Sequence, residues 1–93
     1  FLLTVKEGAG FTRDDIVNHL ESRGIQTRML FAGNLIKHPC FDEMRKSGEG
    51  YWVSGNLENT DRIMRDTFWI GVYPGMTEEM VGFMIKQIGN FVR

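Results

Sequence analysis

The sequence has little cysteine and no surplus of positive charge. Its single cysteine, Cys40, cannot form an internal disulfide, which argues against a disulfide-stapled secreted scaffold and favours a reducing compartment. The formal net charge of −1 argues against a dedicated nucleic-acid-binding protein, because such proteins usually carry a basic surplus. No apolar run approaches the length of a membrane span. The composition therefore predicts a cytoplasmic domain with no nucleic-acid or membrane partner.

What the sequence does contain suits one small folded domain. The 93 residues are 42% hydrophobic and 25% charged, which is typical of a globular chain and not of a disordered one. The chain opens at Phe1 inside the strand-like run FLLTVK, without an initiator methionine or a leader. We therefore expect residues 1–93 to form one domain that was cut from a longer protein.

Hydrophobic periodicity predicts an alternation of strands and helices. Thr12 is the expected N-cap of the first helix, with Asp15 as its capping-box partner. The run FWIGVY predicts a strand that is buried on both faces, which would place Trp69 in the core, and Trp52 is also expected there. In the first half of the chain, the predicted elements are a strand over Phe1–Lys6, a helix over Thr12–Arg23, a strand over Ile25–Phe31 and a short helical turn in FDEMRK. In the second half, they are an extended or strand segment over Tyr51–Val53, a helix capped by Asn56 or Asn59, the strand in FWIGVY and a helix that follows Thr77.

This order of elements predicts an α/β (α+β) two-layer sandwich. A small mixed sheet would carry helices packed on it, since each amphipathic helix must bury its apolar stripe against another layer. The last helix has the clearest pattern, with apolar residues at helical spacing. Those residues are Met80, Val81, Met84, Ile85, Ile88 and Phe91.

Arg28 is the first candidate for a binding residue. It lies among apolar strand neighbours and precedes a loop that contains Gly33 and Asn34. The planar guanidinium matches phosphate and carboxylate groups. Gly33 would let the backbone approach a ligand closely, and the Asn34 amide offers both a donor and an acceptor. The structural alternatives are an arginine paired with an acidic neighbour and an ordinary turn glycine followed by asparagine.

The remaining polar candidates carry weaker signals. Arg62 follows Asp61 near a predicted helix start, where cations are disfavoured, so it is either kept for a contact or simply solvated. His38 and Cys40 do not make a zinc site, which usually needs four ligands, and a nucleophilic pair would lack an orienting group. Cys40 is better interpreted as a half-buried spectator thiol. From the residues alone, the chain is an accessory domain and not a complete enzyme.

Two long stretches, TRMLFAGNLIKHP and TDRIMRDTFWIGVYPGMT, resemble the C-terminal part of the sugar dehydrases in the DegT/DnrJ/EryC1/StrS family. The opening FLLTVKEGAGFTRDDIVNHLESRGIQTR is similar to the same family, so the resemblance covers essentially the whole chain. It implies the C-terminal domain of the aspartate-aminotransferase fold. The subgroup that it resembles most comprises the nucleotide-linked 4-keto-6-deoxyhexose 3-dehydrases of deoxysugar and O-antigen (lipopolysaccharide) biosynthesis.

The resemblance also implies a division of labour. The cofactor, pyridoxamine or pyridoxal 5'-phosphate (PMP or PLP), would be bound by a large domain outside this sequence, as would the [2Fe-2S] cluster of one dehydrase branch. The parent would be a homodimer, and the isolated fragment would be inactive. By resemblance, substrate binding falls to Arg28, Phe31, Gly33, Asn34 and Arg62, with no catalytic residue and no metal ligand in this chain.

Two other interpretations stay open. Sugar aminotransferases share this region but tend to have a Tyr- and His-containing sequence in place of LFAGN, which favours a dehydrase. A lysine at the Schiff-base position of the parent would favour the aminotransferase, and a histidine there would favour the dehydrase. The third interpretation is a stand-alone α/β binding module.

Overall fold

Three short strands form an antiparallel sheet that carries helices on one face. The computed structural model describes residues 1–93 throughout. The strands are β1 (Leu2–Thr4), β2 (Thr27–Met29) and β3 (Thr67–Ile70), and the helices are α1 (Arg13–Ser22), α2 (Asp42–Ser47), α3 (Glu58–Asp66) and α4 (Glu78–Val92). Single 3₁₀ turns occupy Leu35–Lys37 and Pro39–Phe41. None of the helices combines the length and the apolar character that crossing a membrane requires.

The sheet has the order β1–β3–β2, and both pairs are antiparallel. The α+β two-layer class is thus confirmed, whereas the expected mixed sheet is wrong in its strand directions. The register places Leu3 and Met29 on either side of Phe68, and Leu2 and Arg28 on either side of Trp69. Because side chains alternate along a strand, these two rows lie on opposite faces of the sheet.

One face of the sheet packs against α1 and α4 to form the core. The buried hydrophobic residues are Ile16, Leu20, Ile25, Phe68 and Ile70. Met84, Ile88 and Phe91 of α4 pack against this cluster, as predicted. The prediction is wrong for the other three residues of that set, because Met80, Val81 and Ile85 are exposed. On the opposite face of the sheet, no helix covers Trp69, which stays partly exposed.

Local sequence signals explain where the helices begin. The Thr12 hydroxyl accepts a hydrogen bond from the Asp15 amide, and the Asp15 carboxylate accepts one from the Thr12 amide, which is the predicted capping box. Thr77 caps α4 through the Met80 amide, as predicted. The predicted cap of α3 by Asn56 or Asn59 is wrong, because Leu57 holds the N-cap position and makes no side-chain hydrogen bond to the helix. Asn56, one residue earlier, still accepts a hydrogen bond from the Glu58 amide over 3.1 Å.

Several expectations fail outside the core. Residues 51–53 belong to no strand, and Trp52 is 86% exposed, so its assignment to the core is wrong. Trp69 is 41% exposed, whereas Thr67 on the same face of β3 is buried, so the second face of the strand is open only at the Trp69 end. The predicted turn in FDEMRK is the helix α2.

Candidate functional site

Arg28 lies at the centre of β2 on the open face of the sheet. Its cross-strand partner in the register is Trp69. The guanidinium Nη1 donates a hydrogen bond to the Thr27 carbonyl oxygen over 2.8 Å, and the side chain forms no direct ion pair with a carboxylate. Glu21 is its acidic neighbour: hydrogen bonds from Thr27 chiefly lower the pKa of Glu21, and the charge of Arg28 adds to that effect. Most of the guanidinium N–H groups remain free to bind an anion.

Phe31 follows β2 and is 96% exposed, which is unusual for an aromatic side chain. It lines a groove of about 560 Å³ at the open edge of the sheet. The side chains of Arg28 and Trp69 line the same groove, together with Gln26 and Met29. The structure thus brings together two of the predicted binding residues, Arg28 and Phe31, and adds Trp69 to them.

Gly33 and Asn34 have a different environment, where the loop after β2 meets α3. Gly33 adopts a φ of +71°, and a Cβ at that position would lie 2.7 Å from the Met64 Cγ. Asn34 is only 2% exposed. Its backbone amide donates to the Met64 Sδ over 3.3 Å, and its side-chain amide donates to the Asp61 Oδ1 over 2.8 Å. These two residues hold the loop against the helix.

Asp61 is the acceptor at the centre of this contact. Lys37, in the 3₁₀ turn after the loop, places its Nζ 2.8 Å from the same Asp61 oxygen. The hydrogen bond from Lys37, followed by that from Asn34, lowers the pKa of the Asp61 carboxyl below its ordinary value. Sequence reasoning missed Asp61, since nothing local connects it to a loop 27 residues earlier.

Arg62 belongs to α3 but faces a second groove. Because α3 begins at Glu58, Arg62 lies beyond the first turn, and the expected unfavourable position at the helix start is wrong. The groove measures about 820 Å³ and runs between α3 and the glycine-containing loop 6–12. Arg62 forms no hydrogen bond or ion pair, whereas Arg65 nearby pairs with Asp66 over 3.0 Å. The groove of Arg62 and the groove of Arg28 share no lining residue.

The histidines and the cysteine have ordinary roles. The His38 Nε2 lies 2.6 Å from the Ala32 carbonyl oxygen, which fixes the end of the loop. Cys40 is exposed and not half-buried as expected. His19 lies at the boundary between α1 and α4, with its Nε2 3.2 Å from the Gln87 carbonyl oxygen. No cluster of three or more His, Cys, Asp or Glu side chains has the geometry to hold a metal ion.

Trp69 lines the groove of Arg28, although its sequence context predicted that it would lie in the core. A continuous apolar run hides the two-residue alternation that distinguishes the faces of a strand. Within β3, Phe68 and Ile70 are buried and Trp69 between them is not. The alternation becomes informative only once the sheet is known to have helices on one side.

Comparison with known proteins gives a consistent family assignment. The sequence model of the DegT/DnrJ/EryC1/StrS aminotransferase family matches residues 1–89. The dTDP-4-dehydro-2,6-dideoxy-D-glucose 3-dehydratase of Saccharopolyspora spinosa is 45% identical over 92 residues, which are 99% of this chain and 19% of that protein. The lipopolysaccharide biosynthesis protein RfbH of Salmonella typhimurium (strain LT2) is 45% identical over 91 residues, which are 98% of this chain and 20% of that protein. The chain thus spans about a fifth of the length of these relatives.

Proposed function

This chain belongs to the DegT/DnrJ/EryC1/StrS aminotransferase family, and we propose on that premise that it is the small C-terminal domain of a nucleotide-sugar 3-dehydrase. The parent enzyme would remove the C3 hydroxyl of a nucleotide-linked 4-keto-6-deoxyhexose in deoxysugar or lipopolysaccharide biosynthesis. The observation that carries the proposal is the 45% identity to a 3-dehydratase over 99% of the chain. The parent would act in the cytoplasm as a homodimer.

The residues that face the substrate in this proposal are Arg28, Phe31 and Arg62. Arg28 and Arg62 support it because neither side chain is paired with a carboxylate. An arginine fork suits the diphosphate of a nucleotide sugar. Phe31 provides an apolar wall that keeps water away from the reacting sugar. Gly33 and Asn34 contribute by holding the loop, because Asn34 is buried and its amide is already bonded to Asp61.

By the family resemblance, the cofactor is bound by a large domain outside this chain. Of the four lysines, Lys37 is paired with Asp61 over 2.8 Å and Lys46 with Glu43 over 3.0 Å, whereas Lys6 and Lys86 are unpaired, so the lysines alone do not decide where a Schiff base would form. A [2Fe-2S] cluster usually needs four thiolates, and the sequence holds one cysteine. We therefore assign PMP or PLP, and any cluster, to the remainder of the parent.

An aminotransferase is the second candidate function. The name of the matched family favours it, because that name describes aminotransferases. The two activities differ at the cofactor, where an aminotransferase needs a lysine and the proposed dehydrase carries a histidine. The residue at that position of the longer polypeptide separates them. A stand-alone binding module is a weaker candidate, since both relatives are about five times as long as the aligned segment.

Kinetics of the longer polypeptide test the proposal. With a nucleotide-linked 4-keto-6-deoxyhexose and PMP, the product should lack the C3 hydroxyl, which NMR detects. Arg28→Ala should reduce turnover or substrate binding while the fold survives. Arg23→Ala is the matched control, because Arg23 is an exposed arginine at the end of α1 and lines neither groove. Transfer of an amino group without loss of the hydroxyl would replace the dehydrase by the aminotransferase.

A second measurement addresses the division of labour. The 93-residue chain mixed with PLP should give no stoichiometric pyridoxal absorbance band beyond that of free cofactor. A saturable band at one cofactor per chain would contradict the placement of the cofactor in the remainder of the parent.

A further inference from the structure

We propose that the groove formed by Arg28, Trp69 and Phe31 binds the nucleoside diphosphate part of the substrate. The base would stack on the Trp69 indole, and the diphosphate would lie at the Arg28 guanidinium. This inference rests on the proposed function and deepens it, because it assigns the nucleotide to a defined surface and adds Trp69 to the binding residues.

The position of Trp69 supports a stacking role. It lies in the central strand of the sheet, directly between Leu2 and Arg28 in the register, on the face without helices at that end. Its indole is 41% exposed, although both neighbours in β3 are buried. A strand fixes the direction of its side chains, so the indole is held as a rigid platform. Stacking of a base on such a ring is favourable for every base, because each base has a π-face.

The chemistry next to the indole suits a diphosphate. Arg28 is the direct cross-strand neighbour of Trp69, and only its Nη1 is engaged, with the Thr27 carbonyl. Glu21 is near Arg28 but forms no direct ion pair with it, so the guanidinium retains N–H groups that can bind phosphate oxygens. A planar aromatic surface and a free guanidinium therefore lie side by side, as the base and the diphosphate of a nucleotide require.

The groove is mostly apolar and shares Phe1, Ile70 and Val72 with the surface beside it, but Arg28 and Gln26 distinguish it from that surface. A second groove of about 310 Å³ between the sheet and α4 is lined entirely by hydrophobic side chains, which suits packing against another apolar surface. Covering the Arg28 groove with such a surface would bury the guanidinium without an anion, which is costly. Its volume of about 560 Å³ lies within the range of small-molecule sites. These properties favour an anionic aromatic ligand over a protein surface.

The two tryptophans allow a direct test by fluorescence of the 93-residue chain. Trp52→Phe leaves Trp69 as the only tryptophan, and Trp69→Phe leaves Trp52, which is exposed and lines neither groove. The ligands are dTDP, CDP, thymidine and inorganic pyrophosphate. We expect dTDP and CDP to quench Trp69 saturably in the millimolar range and to leave Trp52 without a saturable response. Calorimetry on the same samples guards against absorption of light by the nucleotide.

Further variants separate the two contacts. Trp69→Leu should weaken binding of dTDP about tenfold or more, in line with the loss of one stacked base. Arg28→Gln should weaken dTDP binding about tenfold but leave thymidine binding unchanged, because thymidine has no phosphate. Circular dichroism of each variant checks the fold, and Arg23→Gln is the control for the loss of one positive charge.

Each outcome decides the proposal. Saturable quenching of Trp69 that depends on Arg28 supports it. Absence of saturable quenching in the folded chain overturns it, as does equal binding of dTDP by the Trp69→Leu variant and the original chain. If the longer enzyme shows an indole that is inaccessible to acrylamide before substrate is added, the groove is an interdomain contact and the proposal is wrong. A parent that catalyses a different reaction would refute the proposed function, whereas the binding data would still stand.

Discussion

The side-chain amide of Asn34 donates a hydrogen bond to the Asp61 carboxylate over 2.8 Å, and this contact joins the loop after β2 to α3. Asn34 is buried, and Asp61 also accepts from Lys37. The pair thus fixes the segment that begins at the exposed Phe31. The hydrogen bond between Asn34 and Asp61 affects the candidate site indirectly, because it determines where the loop that carries Phe31 leaves the sheet.

Asn34→Ala should destabilise the domain because it removes the buried donor to the Asp61 carboxylate. We expect a loss of about 1–3 kcal/mol in the free energy of unfolding, measured by urea denaturation. Asn18→Ala is the matched control, since Asn18 lies exposed in α1. Equal losses in the two variants would show that the contact with Asp61 adds nothing to stability.

Gly33→Ala should cost more than Gly55→Ala, although both glycines have nearly the same backbone angle. Their φ values are +71° and +72°, so each substitution carries the left-handed penalty of about 1–2 kcal/mol. Only at Gly33 would the new methyl group also meet the Met64 side chain, at 2.7 Å from Cγ, while Gly55 has open space. Urea denaturation of both variants measures the difference.

The double variant Gly33→Ala with Met64→Ala identifies the cause of that difference. If the contact with Met64 is responsible, the double variant should lose less stability than the sum of the two single variants. Additive losses would mean that the extra cost at Gly33 comes from elsewhere in the loop.

Leu20→Ala should be strongly destabilising, whereas Leu35→Ala should not. Leu20 is fully buried in the core between α1 and the sheet, and its truncation should cost about 2–5 kcal/mol. Leu35 is 56% exposed in a 3₁₀ turn, so the same chemical change removes little packing. Denaturation midpoints compare the two, and similar shifts would contradict the location of the core.

Glu21 should make stability depend on pH in the acid range. Its carboxylate accepts hydrogen bonds from the Thr27 amide over 2.7 Å and the Thr27 hydroxyl over 2.8 Å. The bond from the Thr27 amide, followed by that from its hydroxyl, lowers the pKa of Glu21 below its ordinary value of 4.5. A lowered folded-state pKa means that the stabilisation is present above pH 4.5 and disappears as the pH falls through the folded-state pKa.

Glu21→Gln tests this dependence, since the amide oxygen still accepts a hydrogen bond but does not titrate. The variant should lose less stability than the original chain when the pH falls from neutral through the acid range. Unfolding by urea at a series of pH values measures the two slopes. Glu49→Gln, at an exposed position with no side-chain hydrogen bond, should retain the original slope.

Some of the candidate site was accessible to sequence reasoning. Arg28 was selected from its position before a glycine-containing loop and Phe31 from the family resemblance, and the structure places both on one groove. Arg62, selected from its position after Asp61 and from the same resemblance, lines another groove, and Asn34 is buried against α3. Linear proximity indicated which segment carries polar groups near the sheet. It did not indicate which side chains share a surface, because that depends on how α3 packs.

The sequence by itself determined the local elements of this domain. The Thr12–Asp15 capping box, the Thr77 cap and the apolar stripe of α4 are encoded within a few residues, because hydrogen bonds at helix ends and helical periodicity are local interactions. Only the tertiary structure decided the direction of the strands and the face that stays open. Trp69 shows the reason: its exposure depends on which side of the sheet α1 and α4 cover, and that choice is made by contacts between residues far apart in the chain.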